Sequence, residues 1–326
     1  MSSPTRPHIV VLDGHTLNPG DLSWRKLECL GRVTVYPRTT TAEEAQQRSQ
    51  EADVLLVNKV PVTASLLNHS PRLRYIAVTA TGYNNVDLEA CAKHHIPVSN
   101  AIGYGSASVA QHVFALLLHM TNRVAEHSAS VQKGDWSGQP DFSYWHYPIV
   151  ELSGKTMGIY GLGRIGQQVA LRAQAFGMSV RATHRHPKRD ALNGVTFVDL
   201  PNLFAQSDVI SLNVPLNPDN QGIVDRHLLN RMKPSALLIN TARGGLINET
   251  DLAEALRQKK IAGAALDVLA EEPPKPDHPL LQLPNCWVTP HQAWASVESR
   301  QRLLDMVVDQ VRSFLKGQVK SPVTYP

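Results

Sequence analysis

The chain has 326 residues, 42% of them hydrophobic, and a formal charge of +4, with Lys and Arg spread along its length rather than gathered in blocks. That length suggests two domains, and weak, dispersed positive charge argues against a nucleic-acid surface. Three widely spaced cysteines without a CxxC point to a reducing, cytoplasmic setting, and fourteen histidines without HxxxH or HExxH spacing argue against a metal site. In chain order, MSSPTRP runs straight into HIVVLDG, an apolar run too short for a secretory signal. No apolar segment approaches the roughly 20 residues of a membrane span, so no membrane association is expected. Strands are predicted at 9–13, 32–37, 53–58, 73–80 and 96–100, with helices between them such as Thr41–Ser49 and Ala64–Asn68. A long helical pattern from Ser106 to Gln132 follows, with Val109, Val113, Leu116, Leu117 and Met120 on one face. Further strands are predicted at 155–161, 179–184, 208–215, 236–242, 263–269 and 286–291, then a last helix from Val297 to Lys316 capped by Gly317.

Strands alternating with helices imply parallel sheets covered on both faces. The expected fold class is α/β, with two Rossmann-like, doubly wound parallel-sheet domains. The last helix is expected to return to the first unit. That domain would then be discontinuous, 1–100 plus 294–326, with 101–293 inserted as the nucleotide-binding domain.

GLGRIG at 161–166 stands between a predicted strand and a predicted helix, the context that turns a weak GxGxxG signal into a dinucleotide cradle. Gly161 makes the tight turn, Gly163 leaves room for the pyrophosphate, and Gly166 permits close helix–strand packing. Arg164 and Ile165 open the helix whose N-terminus faces the phosphates. About 20 residues further on, such units carry an acid that holds the ribose 2′-OH. Here the strand closes with THRHPKR, 183–189, and His184 occupies that point. Arg185, with Lys188 or Arg189, offers cations suited to a 2′-phosphate, so NADP(H) is the expected preference with NAD(H) possible. A solvated basic turn is the competing reading.

Three later strand ends carry chemistry. ALLINTARGG brings Arg243, ALDVLAEEPP brings Asp267 and Glu272, and CWVTPHQAW brings His291. A cation, a carboxylate and an imidazole suit interconversion of a carbonyl and a hydroxyl beside a carboxylate. Arg243 can clamp the carboxylate in a bidentate fashion, and His291 can protonate the carbonyl oxygen as hydride arrives at carbon. Glu272 can orient His291 and favour its protonated form. The bland alternative is an Arg243–Glu272 structural ion pair with His291 as a cap.

With GLGRIG, NTARGGLINETDLAEAL (240–256), GAALDVLAEEP (263–273) and TPHQAW (289–294) in view, the chain resembles the D-isomer-specific 2-hydroxyacid dehydrogenases over essentially its whole length. The resemblance implies Arg243, Glu272 and His291 as the catalytic set. It also implies an active-site cleft that closes on substrate and a homodimer formed through the nucleotide domain. ATGYNNVDL (80–88) matches the family's substrate loop, which implies carboxylate binding by backbone N–H groups near Thr81 and Gly82. The same likeness implies that Ser108, Val214, Pro215, Thr241, Ala242 and Asp267 line the cofactor. Within the family, ATGYNNVDL, SASVAQHVFALLL and GDWSGQPDFSYW are most similar to glycerate dehydrogenases, also called hydroxypyruvate reductases. Hydroxypyruvate and glyoxylate are therefore the expected substrates, with Lys59 a candidate contact for the substrate's far end or else a solvated surface lysine. A cofactor-sensing corepressor of the same fold, or a dehydrogenase for another 2-hydroxy acid, is the alternative.

Overall fold

The computed structural model describes residues 6–323. Both ends of the first expected domain, 1–5 and 324–326, lie outside the described residues. The chain divides into two compact units, Met1–Gly105 with Ala295–Pro326, and Ser106–Trp294. The first boundary falls at Gly105, later than the expected residue 100, because the loop after Asn100 stays tied to the first unit. Ala101 N–H donates to Ala80 O at 3.0 Å, and Tyr104 O accepts from Arg302 Nε at 2.9 Å.

In the first unit, β1 (His8–Val11), β2 (Arg32–Val35), β3 (Val54–Val57), β4 (Tyr75–Val78) and β5 (Val98–Asn100) form a parallel sheet in the order β5-β4-β3-β1-β2. β1, β3 and β4 are buried at every residue, as continuous apolar runs covered on both faces must be. The chain returns through the helix Val297–Leu315, where Phe314 stacks on Tyr75 at 4.4 Å and Gln310 Nε2 donates to Asn100 O at 2.8 Å. Pro322–Val323 then adds an antiparallel edge beside β5, a departure from the all-parallel expectation made possible because the edge of β5 was unpaired.

The second unit contains β6 (Thr156–Tyr160), β7 (Ser179–Thr183), β8 (Val195–Phe197), β9 (Val209–Leu212), β10 (Leu237–Asn240), β11 (Gly263–Leu266) and β12 (Cys286–Val288). All pair in parallel, in the order β12-β11-β10-β9-β6-β7-β8. The strand order reverses between β6 and β9, and ligands of doubly wound sheets bind at that switch, beyond the C-terminal strand ends. β8, only three residues long and not among the predicted strands, completes the edge.

The helix expected over Ser106–Gln132 is instead two, Ser106–Asn122 and Val124–Gln132. Arg123 breaks it with a left-handed backbone, φ 50°. Its guanidinium lies 4.8 Å from the Tyr147 ring centre and 4.5 Å from that of Trp287, and 3.3 Å from Glu126 Oε1. Two cation–π contacts and an ion pair offset the cost of the break.

Candidate active site

The glycine turn is built by three different steric demands. Gly161 has φ +98°, and a Cβ on it would lie 2.6 Å from Val214 Cγ1 and 2.8 Å from Asn213 O. A Cβ on Gly166 would collide with Gly161 O, so the helix Arg164–Ala175 packs directly on the turn. Gly163 faces open space, with nothing within 4 Å of where its Cβ would stand. Gly163 is also the N-cap of that helix and gives its first N–H groups no side-chain partner. Arg164 is exposed, and Ile165 packs partly on the core. An uncapped helix start opening onto free space is the donor set a pyrophosphate requires.

The register of β9 with β10 sets Leu212 opposite Asn240, so the next residues, Asn213 and Thr241, leave the sheet side by side. Asn213 Oδ1 and Thr241 Oγ1 are buried without a hydrogen-bond partner. Buried polar atoms are rarely left so, and here both stand at the strand ends beside the glycine turn. With the uncapped helix, they make these residues fit a nicotinamide dinucleotide. Val214 and Ala242 pack against the core, and Pro215 O accepts from Asn220 Nδ2 at 2.8 Å. Asn213 was not among the residues expected from sequence, though it directly precedes the expected Val214–Pro215 turn.

The expected trio lies on three adjacent strand ends. His291 Nδ1 is 2.7 Å from Glu272 Oε2, each side chain 32% exposed, so the pair is open to a ligand yet partly shielded from water. Glu272 Oε1 accepts from Leu269 N–H at 3.0 Å, which fixes the carboxylate's orientation. His291 has φ 51°, held by donation of its N–H to Asp267 O at 2.9 Å. Arg243 is exposed, and its Nη1 donates to Ala242 O at 2.7 Å. Among the described residues it pairs with no carboxylate, so the Arg243–Glu272 structural ion pair is not formed. Asn240 holds the Arg243 loop from both sides, donating from Nδ2 to Arg243 O at 2.8 Å and accepting Ala242 N–H at Oδ1 at 3.0 Å. The next residue, Gly244, lies so close to the backbone of Leu269 and Ala270 that a Cβ would overlap it. The Arg243 loop and the Glu272 loop are thus pressed together, main chain on main chain.

Asp267 is 1% exposed, and it ties the end of β11 to the loop that carries His291. Its Oδ1 accepts from Thr289 Oγ1 at 2.6 Å and Gln292 N–H at 2.9 Å, and its Oδ2 from Ala293 N–H at 2.8 Å. His112 Nε2 approaches Thr289 Oγ1 at 3.0 Å. Ser108 Oγ donates to Ala293 O at 2.7 Å. These bonds brace the loop that carries His291 from both sides. His112 and Thr289 stand in SASVAQHVFALLL and TPHQAW, but neither was given a role there, because their partnership exists only across the fold.

At the end of β7, His184 Nδ1 accepts from Leu162 N–H at 3.2 Å, and its Nε2 lies 2.6 Å from Asp190 Oδ2. Arg189 forks onto the same carboxylate, with Nε to Oδ1 at 3.0 Å and Nη2 to Oδ2 at 2.6 Å. Arg185 and Lys188 are exposed and form no ion pair among the described residues. In the first unit, Asp13 accepts the backbone N–H groups of Asn58, Lys59 and Val60 and so shapes the exposed Lys59 turn. Thr81 Oγ1 donates to Ala101 O at 2.8 Å, and Thr81 O accepts from Asn100 Nδ2 at 2.6 Å, which fixes the turn that carries Gly82. Among the described residues no group of histidine, cysteine and carboxylate side chains could hold a metal ion, and no helix is long and apolar enough to cross a membrane.

Residues 114–293 match the family model described as D-isomer specific 2-hydroxyacid dehydrogenase, NAD binding domain. The chain is 46% identical over 319 residues to a hydroxypyruvate reductase of Blautia hydrogenotrophica, covering 97% of this chain and 98% of the relative. It is 41% identical to a glycerate dehydrogenase of Methylorubrum extorquens, covering 97% and 98%. Among solved structures, an NADPH-dependent glyoxylate/hydroxypyruvate reductase from Sinorhizobium meliloti, in complex with NADP and malonate, aligns with a TM-score of 0.80 and 29% identity over 98% of this chain and 97% of the other. The chain belongs to the D-isomer specific 2-hydroxyacid dehydrogenase family of NAD(P)-dependent oxidoreductases.

Proposed function

We propose that the protein reduces hydroxypyruvate, and glyoxylate with it, to the corresponding 2-hydroxy acids, D-glycerate and glycolate. The observation that carries the reading is the 2.7 Å His291–Glu272 pair on a nucleotide-binding sheet, with Arg243 on the neighbouring strand end. The names of its relatives, hydroxypyruvate reductase and glycerate dehydrogenase, support the substrate class. When bound, the nicotinamide supplies the hydride. His291 gives its proton to the carbonyl oxygen of the substrate, and Glu272 orients the ring and stabilises its charged form. Arg243, exposed and among the described residues without a carboxylate partner, holds the substrate carboxylate with its planar fork. We assign further carboxylate binding to the backbone at Thr81 and Gly82, and the substrate's far end to Lys59.

The free cations Arg185 and Lys188 favour NADPH over NADH, with Arg185 the main contact. A homodimer through the second unit is supported by its exposed apolar stretch, in which Phe142 is 90% exposed and Trp136, Trp145 and Ile149 more than half exposed. Large apolar side chains exposed so close together in the chain suit an interaction surface. The three cysteines are unpaired, which accords with a reducing cytoplasm.

The test is consumption of NADPH, then of NADH, by the purified protein with hydroxypyruvate and with glyoxylate, followed by chiral analysis of the glycerate formed. Rapid turnover with either cofactor to the D product is expected, faster with NADPH. Tight nucleotide binding without turnover of either acid would overturn the substrate assignment in favour of the cofactor-sensing corepressor or a dehydrogenase for another 2-hydroxy acid.

A further inference from the structure

We propose that Asp190 is the specificity-determining residue for the cofactor, placing at the ribose corner the negative charge that the end of β7 lacks and restraining the preference for NADPH. The inference rests on the reading that this corner receives the adenosine ribose. His184 stands where a doubly wound unit of NAD type carries its acid, and from there the loop turns back so that Asp190 meets it at 2.6 Å. Because His184 Nδ1 accepts the Leu162 N–H, the ring's one proton is on Nε2 and is donated to Asp190. A continuous chain results, from the glycine turn at Leu162 through the imidazole and carboxylate to the Arg189 guanidinium.

The chain changes the charge of the corner. Of the basic residues in THRHPKR, His184 contributes no positive charge in this arrangement, and Arg189 is held in a two-pronged ion pair. Hydrogen bonds from Arg189 and then from His184 hold the Asp190 carboxyl far below the usual carboxylate range, so it stays ionised. A 2′-phosphate brought to Arg185 and Lys188 therefore also meets a fixed carboxylate and finds Arg189 engaged. A ribose hydroxyl, being uncharged, meets no such repulsion. The two dinucleotides are held closer in affinity than the basic residues of that stretch would suggest.

The experiment is isothermal titration of NADP+ and NAD+ into the full-length wild type, Asp190→Asn and Asp190→Glu, with kcat/KM for NADPH and NADH alongside. Asparagine keeps the shape and an oxygen that accepts from His184 and Arg189 but removes the charge. D190N should raise the NADP+ to NAD+ affinity ratio about five- to tenfold, the scale of one unit charge acting over about 4 Å through water, as suits an exposed corner. D190E, which keeps the charge, should stay within about threefold of the wild-type ratio. A D190N ratio equal to wild type, or equal weakening of both nucleotides in both variants, overturns the inference and leaves Asp190 a structural tie. A wild type that binds neither nucleotide overturns the cofactor reading itself, and this inference with it.

Discussion

Replacing Gly244 by alanine tests whether the trio works because two loops are pressed together. A Cβ at this position would lie under 3.0 Å from Leu269 C, Leu269 O and Ala270 N, all of them backbone. Ordinary contact begins at 3.4 Å, and no flexible side chain is available to swing aside. The two main chains must therefore part by about 1 Å or more, since packed interiors do not compress. Ala270 is itself anchored, its N–H donating to Glu249 Oε1 at 2.8 Å, so the displacement falls on the Arg243 side or breaks that bond. Overpacking of this kind costs about 1–3 kcal/mol, which for a domain of this size lowers Tm by roughly 2–12 °C. A 1 Å misplacement of a positioning group costs on the order of 10²-fold in rate. Steady-state kinetics with hydroxypyruvate, nucleotide titration and thermal melting together decide the matter. We expect kcat to fall about 10²-fold while nucleotide Kd moves less than about threefold, because the glycine turn after β6 is untouched. A G244A enzyme with wild-type kcat and Tm refutes the reasoning, as does one whose nucleotide affinity collapses in step with its activity.

His291→Ala should lower kcat about 10²- to 10⁴-fold, the usual worth of general acid–base help, with nucleotide binding retained; near-normal turnover would remove His291 from the proton-donor role. Arg243→Lys keeps the charge but loses the planar fork, so KM for hydroxypyruvate should rise and kcat fall, and unchanged kinetics would return Arg243 to a structural role. In Glu272→Gln the His291 ring loses the carboxylate held 2.7 Å from its Nδ1, so the proton donor is less well oriented and kcat for reduction should fall with nucleotide binding retained; an unchanged kcat would mean Glu272 acts elsewhere. Asp208 anchors the start of β6, accepting Thr156 N–H at 2.8 Å and Lys233 Nζ at 2.8 Å. Burial works to raise its pKa, but Lys233 and Thr156 more than offset that and hold it below the ordinary carboxylate value. A depressed folded value means the stabilisation is present above the unfolded pKa, about 3.9, and is lost as pH falls through the folded one. Melting curves should therefore show Asp208→Ala destabilised by about 1.5–3 kcal/mol at neutral pH, a gap that closes in acid; a gap independent of pH would assign the loss to packing.

Much of this protein was legible from sequence because its chemistry sits where local pattern and fold class coincide. Apolar runs mark the strands, parallel sheets bind ligands at their C-terminal ends, and Arg243, Glu272 and His291 each follow such a run directly. The GLGRIG turn is equally local, its steric demands arising within the turn and the strand ends flanking it. What the tertiary structure alone decided depends on atoms brought together from distant segments. Periodicity ran unbroken through Arg123, but Tyr147 and Trp287 hold its guanidinium where the helix breaks. Nothing in ALLINTARGG distinguishes Gly244 from Gly245, but in the fold the Leu269 backbone fills the space a side chain on Gly244 would need. Asp267 stands at a strand end in the sequence, but only the fold brings Thr289, Gln292 and Ala293 to its oxygens. THRHPKR reads as a basic corner because charge in a sequence is counted by residue. In the fold, charge is counted by what each group faces, and the carboxylate of Asp190, just beyond the quoted stretch, faces two of them.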